Sequence, residues 1–78
     1  MAELRLFAAA REAAGTATAV IDAATVGAVL DEARSRFGAH FAAVLDVSRV
    51  WLNGEPTTED ALIGERDTVA VLPPVSGG

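Results

Sequence analysis

The chain has 78 residues, enough for one small domain and too few for two. Hydrophobic residues make up 51% of it, which supports a packed core and argues against a disordered chain. The formal net charge is −5, and the basic residues are scattered arginines, so the composition argues against a nucleic-acid surface. The net charge is consistent with two alternatives: simple solubility, or steering of the domain towards basic patches on a protein partner.

Residues and segments that the sequence lacks indicate its compartment and exclude some kinds of metal site. There is no cysteine, and therefore no disulfide and no thiolate metal site. No apolar run approaches the ~20 residues of a membrane span, and the N-terminal residues lack the pattern of a signal peptide. We therefore expect a cytoplasmic protein that contacts no membrane.

Two strands are predicted before the first helix. Residues 2–8 alternate, so that Leu4 and Leu6 lie on a buried face. A short loop over 9–15 and a second strand over 16–22 predict a hairpin. The residues that alternate with the two leucines face the other way: Glu3, Arg5 and Phe7.

The clearest helix follows these strands. Thr25 is a predicted N-cap and Gly38 a predicted helix stop. The stripe between them has helical spacing: Val26, Val29, Leu30, Ala33 and Phe37. The stretch 39–46 fits either a short second helix or a packed loop.

The C-terminal half predicts three strands. Residues 48–52 form one, and Asn53-Gly54 is a strong signal for a tight turn. Pro56 allows only a short edge strand, and residues 68–72 form the last strand. The element order indicates an α+β fold in which a mixed sheet, with the first and last strands central, packs on one main helix.

The segment after the last strand is Pro-Pro-Val-Ser-Gly-Gly, residues 73–78. Two prolines hold the backbone extended and cannot continue a ladder, so the tail is expected to leave the folded domain of residues 1–72. Six residues in this form reach roughly 19 Å, at about 3.1 Å per residue. Gly77 and Gly78 have no Cβ and fit a channel too narrow for a side chain. The pattern predicts a stiffly presented chain end that enters another protein's active site.

Three segments of the chain resemble the ubiquitin-like sulfur carriers of the β-grasp fold, and most closely the MoaD family, the small subunits of molybdopterin synthase. They are FAAAREAAG at 7–15, DTVAVL at 67–72 and PPVSGG at 73–78, so the resemblance covers the whole domain. One departure is Arg66, where family members usually carry glycine. A positive φ at that position would cost arginine about 1 kcal/mol.

The resemblance implies that the chemistry occurs at the Gly78 carboxylate. A MoeB-like enzyme would adenylate it with ATP, and a sulfur donor would convert the adenylate to a thiocarboxylate. A MoaE-like large subunit would then receive the tail, and sulfur would pass to cyclic pyranopterin monophosphate. The chain itself would bind no cofactor and would not be catalytic alone, because it lacks a glycine loop that could bind a nucleotide. The residues expected to present Gly78 are Pro73, Pro74, Val75, Ser76 and Gly77.

A partner-binding patch is predicted beside the tail. Val69 and Val71 would face the helix, which leaves the other residues of the last strand on the opposite face. Exposed apolar patches commonly mark protein interfaces. The predicted patch consists of Phe7, Ala70 and Leu72, flanked by Arg11.

Conventional enzyme chemistry is poorly supported. His40 is the single histidine, so no metal site is expected. Ser76 lies on the tail without a positioned base. Trp51 lies in an apolar strand and is expected to serve in core or edge packing.

Three functions remain open at this point. The first is the sulfur-donating subunit of molybdopterin synthase. The second is a sulfur carrier for thiazole or cysteine synthesis, or a ubiquitin-like protein modifier. The third is an interaction module without terminal chemistry, whose tail would be an ordinary frayed end.

Overall fold

A five-stranded mixed sheet with three helices on one face forms the fold. The computed structural model describes residues 1–74. In chain order the elements are β1 (Ala2–Leu6), α1 (Ala8–Ala14), β2 (Thr18–Ile21), α2 (Val26–Phe37), α3 (Ala39–Asp46), β3 (Arg49–Leu52), β4 (Glu55–Pro56) and β5 (Thr68–Leu72). The strand order is β2-β1-β5-β3-β4. β1 and β5 are parallel, whereas the other pairs are antiparallel. This is the predicted β-grasp arrangement, with the first and last strands inside the sheet.

The core lies between the sheet and the helices. Leu4 and Leu6 of β1 alternate into it, as do Val69 and Val71 of β5. The predicted stripe of α2 packs against them, with four residues fully buried: Val26, Val29, Leu30 and Ala33.

Both predicted ends of α2 are confirmed. The Thr25 Oγ1 accepts a hydrogen bond of 3.1 Å from the Ala28 N–H, which satisfies one of the free amides at the helix start. Gly38 has a φ of 94°, and its N–H donates to the Arg34 carbonyl. Side-chain capping and a glycine stop therefore set the helix length.

The predicted loop after β1 is wrong, because Ala8–Ala14 forms α1. Alanine has the highest helix propensity, and Ala10 is fully buried. Gly15, with a φ of 77°, ends the helix and donates its N–H to the Arg11 carbonyl. β1 and β2 pair antiparallel as predicted, but a helix joins them and not a hairpin turn.

Residues Ala39–Asp46 form α3, which decides between the two alternatives that the sequence left open. Phe41 and Leu45 lie four residues apart and are buried. The Phe41 ring meets that of Phe37 edge-on, with centroids 5.2 Å apart. One main helix, α2, is thus supplemented by α1 and α3 in covering the sheet.

The strands of the C-terminal half follow the prediction closely. Asn53 and Gly54 have φ values of 51° and 87°, the left-handed pair that a tight hairpin between β3 and β4 requires. Strand β5 covers the predicted residues Thr68–Leu72.

The turn before β5 is held by the Asp67 carboxylate. Its Oδ2 accepts the Gly64 N–H at 2.7 Å, and its Oδ1 accepts the Asn53 Nδ2 at 3.0 Å. Ala8 and Asn53 are the non-glycine residues with positive φ in the described chain. Arg66 is not among them, so the strain considered for arginine at that position does not arise.

The Asp67 carboxyl makes stability depend on pH. The Gly64 N–H, and then the Asn53 side chain, lower the pKa of this carboxyl below its ordinary value of 3.8. Since the folded-state pKa is the lower one, the stabilisation is present above the unfolded-state pKa and is lost as the pH falls through the folded-state pKa.

We expect Asp67→Asn to lower the free energy of unfolding at about pH 7, and the difference from wild type to shrink below about pH 4. Urea denaturation at both pH values measures this difference. Glu65→Gln, in the same exposed turn, is the control and should change stability little. A difference from wild type that stays constant down to about pH 2.5 would contradict this account of the turn.

The burial of α3 predicts a large effect of Phe41→Ala. Removing a fully buried phenylalanine costs about 3–5 kcal/mol, through lost apolar burial and the cavity left behind. His40→Ala, which changes the exposed neighbour in the same helix, should stay within about 0.5 kcal/mol. Urea denaturation measures both, and Phe41→Leu should fall between them if the alanine variant does not fold. Equal small effects of all three would show that α3 does not contribute to the core.

Candidate functional site

The face of the sheet turned away from the helices is open. Ala70 of β5 lies between Arg5 of β1 and Trp51 of β3, and Leu72 lies opposite Arg49. Because paired residues of neighbouring strands project to the same side, these side chains share one surface. We call it the open face; its members are Glu3, Arg5, Thr18, Val20, Arg49, Trp51, Thr68, Ala70 and Leu72.

Phe7 extends this surface at one end. Its backbone is extended, with φ −124° and ψ 153°, and it follows the buried Leu6 in the alternation of β1. The Phe7 side chain is 44% exposed. Since β1 and β5 run parallel, Phe7 and Leu72 stand at the same end of the sheet. The structure therefore brings together three of the four predicted patch residues; that they bind a partner stays a prediction.

Arg11, the fourth patch residue, lies on α1 and not in a loop. It is exposed and follows Phe7 by four residues, about one helical turn. Its charge in the last turn of α1 is favourable to the helix dipole. Within residues 1–74 Arg11 takes part in no ion pair.

The chain leaves the sheet directly beside this patch. Pro73, which is half-buried, follows Leu72 at the carboxyl end of β5, the central strand, and Pro74 is exposed. Proline has no N–H to donate to a ladder, so strand pairing ends there. The predicted reactive segment of Val75, Ser76, Gly77 and Gly78 lies outside the described residues.

Charge is unevenly distributed over the molecule. On the open face, Glu3 Oε1 and Arg5 Nε are 2.9 Å apart and offset each other, which leaves the charge of Arg49. On the helix side, Arg34 pairs with both Asp31 at 3.0 Å and Asp46 at 3.4 Å. The open face is thus locally cationic in a chain of net charge −5.

Of the two positions predicted for Trp51, the core is wrong, whereas packing near the sheet edge agrees with its pairing to Pro56 of the edge strand β4. Val50 and Leu52 pack against the core, so Trp51 between them projects onto the open face, opposite Ala70. Val50, Trp51 and Leu52 are all apolar, so the sequence shows no alternation of polar and apolar residues in β3. Arg49, an exposed polar residue two positions earlier, was the one signal that the open side of the strand begins there.

Neither metal binding nor acid–base chemistry is supported by the described residues. His40 is exposed on α3, and residues 1–74 contain no group of histidine or acidic side chains that could hold a metal ion. The Thr58 hydroxyl lowers the pKa of the Asp60 carboxyl, which favours the charged carboxylate over a protonated form that could donate a proton.

No helix in the described part of the chain has the length and apolar character to cross a bilayer.

An open groove of about 700 Å³ lies on the helix side. It is bordered by α2, α3 and the loop after β4, and its walls mix apolar Leu30 and Leu45 with acidic Asp46 and Asp60. It does not include the residues beside the tail. The open face and the adjacent chain exit therefore form the candidate site.

A mixed sheet with parallel first and last strands, packed on one main helix, defines the ubiquitin-like β-grasp fold. The chain belongs to the ThiS family, whose model matches residues 4–78. This assignment is broader than the resemblance to MoaD. A comparison with curated protein sequences finds no match.

Solved structures with the same fold extend over the whole chain. SAMP1 from Haloferax volcanii is 34% identical with a TM-score of 0.88, covering 99% of this chain and 98% of that chain. A putative molybdopterin converting factor, subunit 1, from Pyrococcus furiosus is 25% identical with a TM-score of 0.83, covering 95% and 97%. The BexX/CysO complex of Amycolatopsis orientalis contains a chain 22% identical with a TM-score of 0.83, covering 100% of both. At that last identity the likeness supports the fold alone.

Proposed function

We propose that the chain is the sulfur-carrying small subunit of a molybdopterin synthase. In this proposal Gly78 carries a thiocarboxylate that donates sulfur to cyclic pyranopterin monophosphate during molybdenum cofactor biosynthesis. The observation that carries the proposal is the exit of the chain at Pro73 and Pro74, from the central strand and beside an open face. Membership of the ThiS family and the likeness to a putative molybdopterin converting factor support it.

The chemistry requires a partner at each step. A carboxylate is a poor electrophile until one of its oxygens becomes a good leaving group. A MoeB-like enzyme supplies ATP: the Gly78 carboxylate attacks the α-phosphate, pyrophosphate leaves, and an acyl-adenylate forms. Hydrosulfide then attacks the acyl carbon and displaces AMP, leaving a thiocarboxylate. A persulfide donor would displace AMP to give an acyl disulfide, whose S–S bond a thiol reductant must cleave to release the thiocarboxylate. The MoaE-like large subunit binds the pterin substrate that accepts the sulfur.

The chain's own residues present and deliver the terminus. β5 is hydrogen-bonded on both sides, so the point at which Pro73 leaves is fixed relative to Leu72 and the open face. We expect a partner that binds this face to receive the tail that begins at Pro73. Binding would then convert an encounter between two proteins into an intramolecular approach, which contributes to the rate of the transfer.

A second candidate is a ubiquitin-like modifier, or a sulfur carrier for thiazole or cysteine synthesis. The observation that favours a modifier is the 34% identity to SAMP1, since a relative from Methanosarcina acetivorans is named small archaeal modifier protein 1. In that function the activated Gly78 would acylate a lysine amine of another protein. Both candidates share the activation step and differ in the nucleophile that follows.

Intact-mass spectrometry of the chain purified from its native host tests the terminal chemistry. We expect a species heavier by one exchange of sulfur for oxygen, and co-purification with a pterin-binding large subunit. Conjugates to lysines of other proteins would favour the modifier. Deletion of Gly77 and Gly78 should abolish sulfur transfer without lowering the melting temperature. An active truncated chain would support an interaction module without terminal chemistry.

The position of Leu72 predicts that a charge there weakens partner binding. Leu72 is half-buried on the open face, and Leu72→Glu would require a partner to desolvate a carboxylate. We expect affinity for the MoeB-like enzyme to fall by about tenfold or more, with unfolding unchanged within about 0.5 kcal/mol. Isothermal calorimetry measures the affinity. Val47→Glu is the matched control, because Val47 is 66% exposed at the end of α3 and the charge change is the same. If the two variants bound the enzyme with equal affinity, Leu72 would not be part of the interface.

A further inference from the structure

Trp51 is the chain's one tryptophan, and it stands on the open face without a part in the core. We propose that Trp51, together with Arg49, anchors the adenylating partner, and that the partner surface it contacts is an apolar pocket bordered by carboxylates. The inference rests on the proposed function, because it names the surface chemistry of the activating enzyme. Trp51 and Arg49 lie on the open face but outside the predicted patch of Phe7, Ala70 and Leu72. The proposed anchor therefore extends the candidate docking surface beyond that patch.

The neighbours of Trp51 on the open face are small or compact. Ala70 lies opposite on β5 and Pro56 opposite on β4, so small or compact side chains flank the ring on both sides. Trp51 is half-buried, and it is absent from the residues that pack against the core. A large apolar side chain that the fold does not need for its core is available to a partner. Tryptophan and arginine are the residue types most enriched at binding hot spots.

The local charge specifies the partner. Arg49 is exposed two residues before Trp51 and opposite Leu72, and within residues 1–74 it forms no ion pair. Arg5, on the far side of Ala70, is already paired with Glu3. A partner surface of complementary charge therefore carries carboxylates opposite Arg49. This sign is opposite to the expectation from the net charge of −5, because the acidic residues lie mainly away from the open face.

A second copy of this chain is a poor occupant of the same surface. A two-fold dimer through the open face would place identical surfaces against each other, and thus arginine-bearing surfaces against each other. Like charges at an interface oppose association. The geometry therefore favours a different protein.

Kinetics of activation test the proposal with the purified MoeB-like enzyme of the same host and ATP. Pyrophosphate exchange is measured against the concentration of the carrier chain. Trp51→Ala should raise the KM for the chain by about tenfold or more and leave kcat within about twofold, since binding and not chemistry is lost. Trp51→Phe should recover part of the loss.

The charge is tested by a matched pair of arginine variants. Arg49→Ala and Arg66→Ala lower the net charge by the same amount, but Arg66 lies in the turn before β5, at the other end of that strand from the chain exit. Arg49→Ala should raise KM about fivefold at low salt, and the effect should shrink as added salt screens the pair. Arg66→Ala should leave KM unchanged. Equal effects of the two variants would show steering by net charge and overturn the pairing at Arg49.

Fluorine NMR tests contact directly. The chain labelled with 5-fluorotryptophan gives one resonance, from Trp51, which should shift or broaden when the unlabelled enzyme is added. A resonance that changes with the chain's own concentration would show self-association through this face. A resonance that changes on deletion of residues 75–78, without enzyme, would show that the tail covers it. Either result overturns the proposal.

Two outcomes of the exchange assay distinguish the anchor from the proposed function. If the wild-type chain supports no pyrophosphate exchange, the proposed function and the anchor fall together. If the wild type is activated and Trp51→Ala, folded by circular dichroism, has the same KM, the anchor alone falls.

Discussion

The parallel pairing of β1 with β5 is the constraint on which the rest of the structure depends. Parallel neighbours cannot be joined by a tight turn, so all other elements lie in the connection between them. That connection supplies the helices that cover one face and the strands that extend the sheet on both edges. Because β5 pairs with β1 on one side and with β3 on the other, the last described strand is hydrogen-bonded along both of its edges.

The same constraint links the core to the function. Val69 and Val71 of β5 are fully buried, while Ala70 and Leu72 of the same strand lie on the open face. One strand thus holds the core, contributes to the candidate docking surface and leads directly to Pro73. A shift of β5 by one residue would exchange the two faces and move the exit, so the register that stabilises the fold also fixes where the chain end emerges.

The sequence predicted those elements whose signals are local. Strand β5 and the ends of α2 at Thr25 and Gly38 follow from alternation, side-chain capping and glycine geometry. Helix α1 gave no such signal: Phe7 precedes it without a side-chain cap, and its run of alanines has too little amphipathic contrast to reveal a buried side. Its stability comes from the burial of Ala10 against elements distant in sequence.

The residues of the candidate site could be predicted in strands whose sequence alternates between core-facing and outward-facing residue types, and not in the strand without such alternation. In β5 the small Ala70 separates two buried valines, and in β1 charged residues alternate with leucines. In β3, by contrast, Val50, Trp51 and Leu52 are all apolar. Only their pairing with β5 shows which of them lies on the open face, and that pairing is a tertiary property.

The fold is shared by proteins named as modifiers and by a putative molybdopterin converting factor, so it does not by itself select a function. The core side chains are required by the packing of the sheet against the helices, whatever the chain end does afterwards. Residues such as Arg49 and Trp51 contribute little to that packing. They can therefore differ among chains of the same fold at small cost in stability. In the proposed function, the proteins that bind the open face select between sulfur transfer and protein modification, because both begin with the same activation of Gly78.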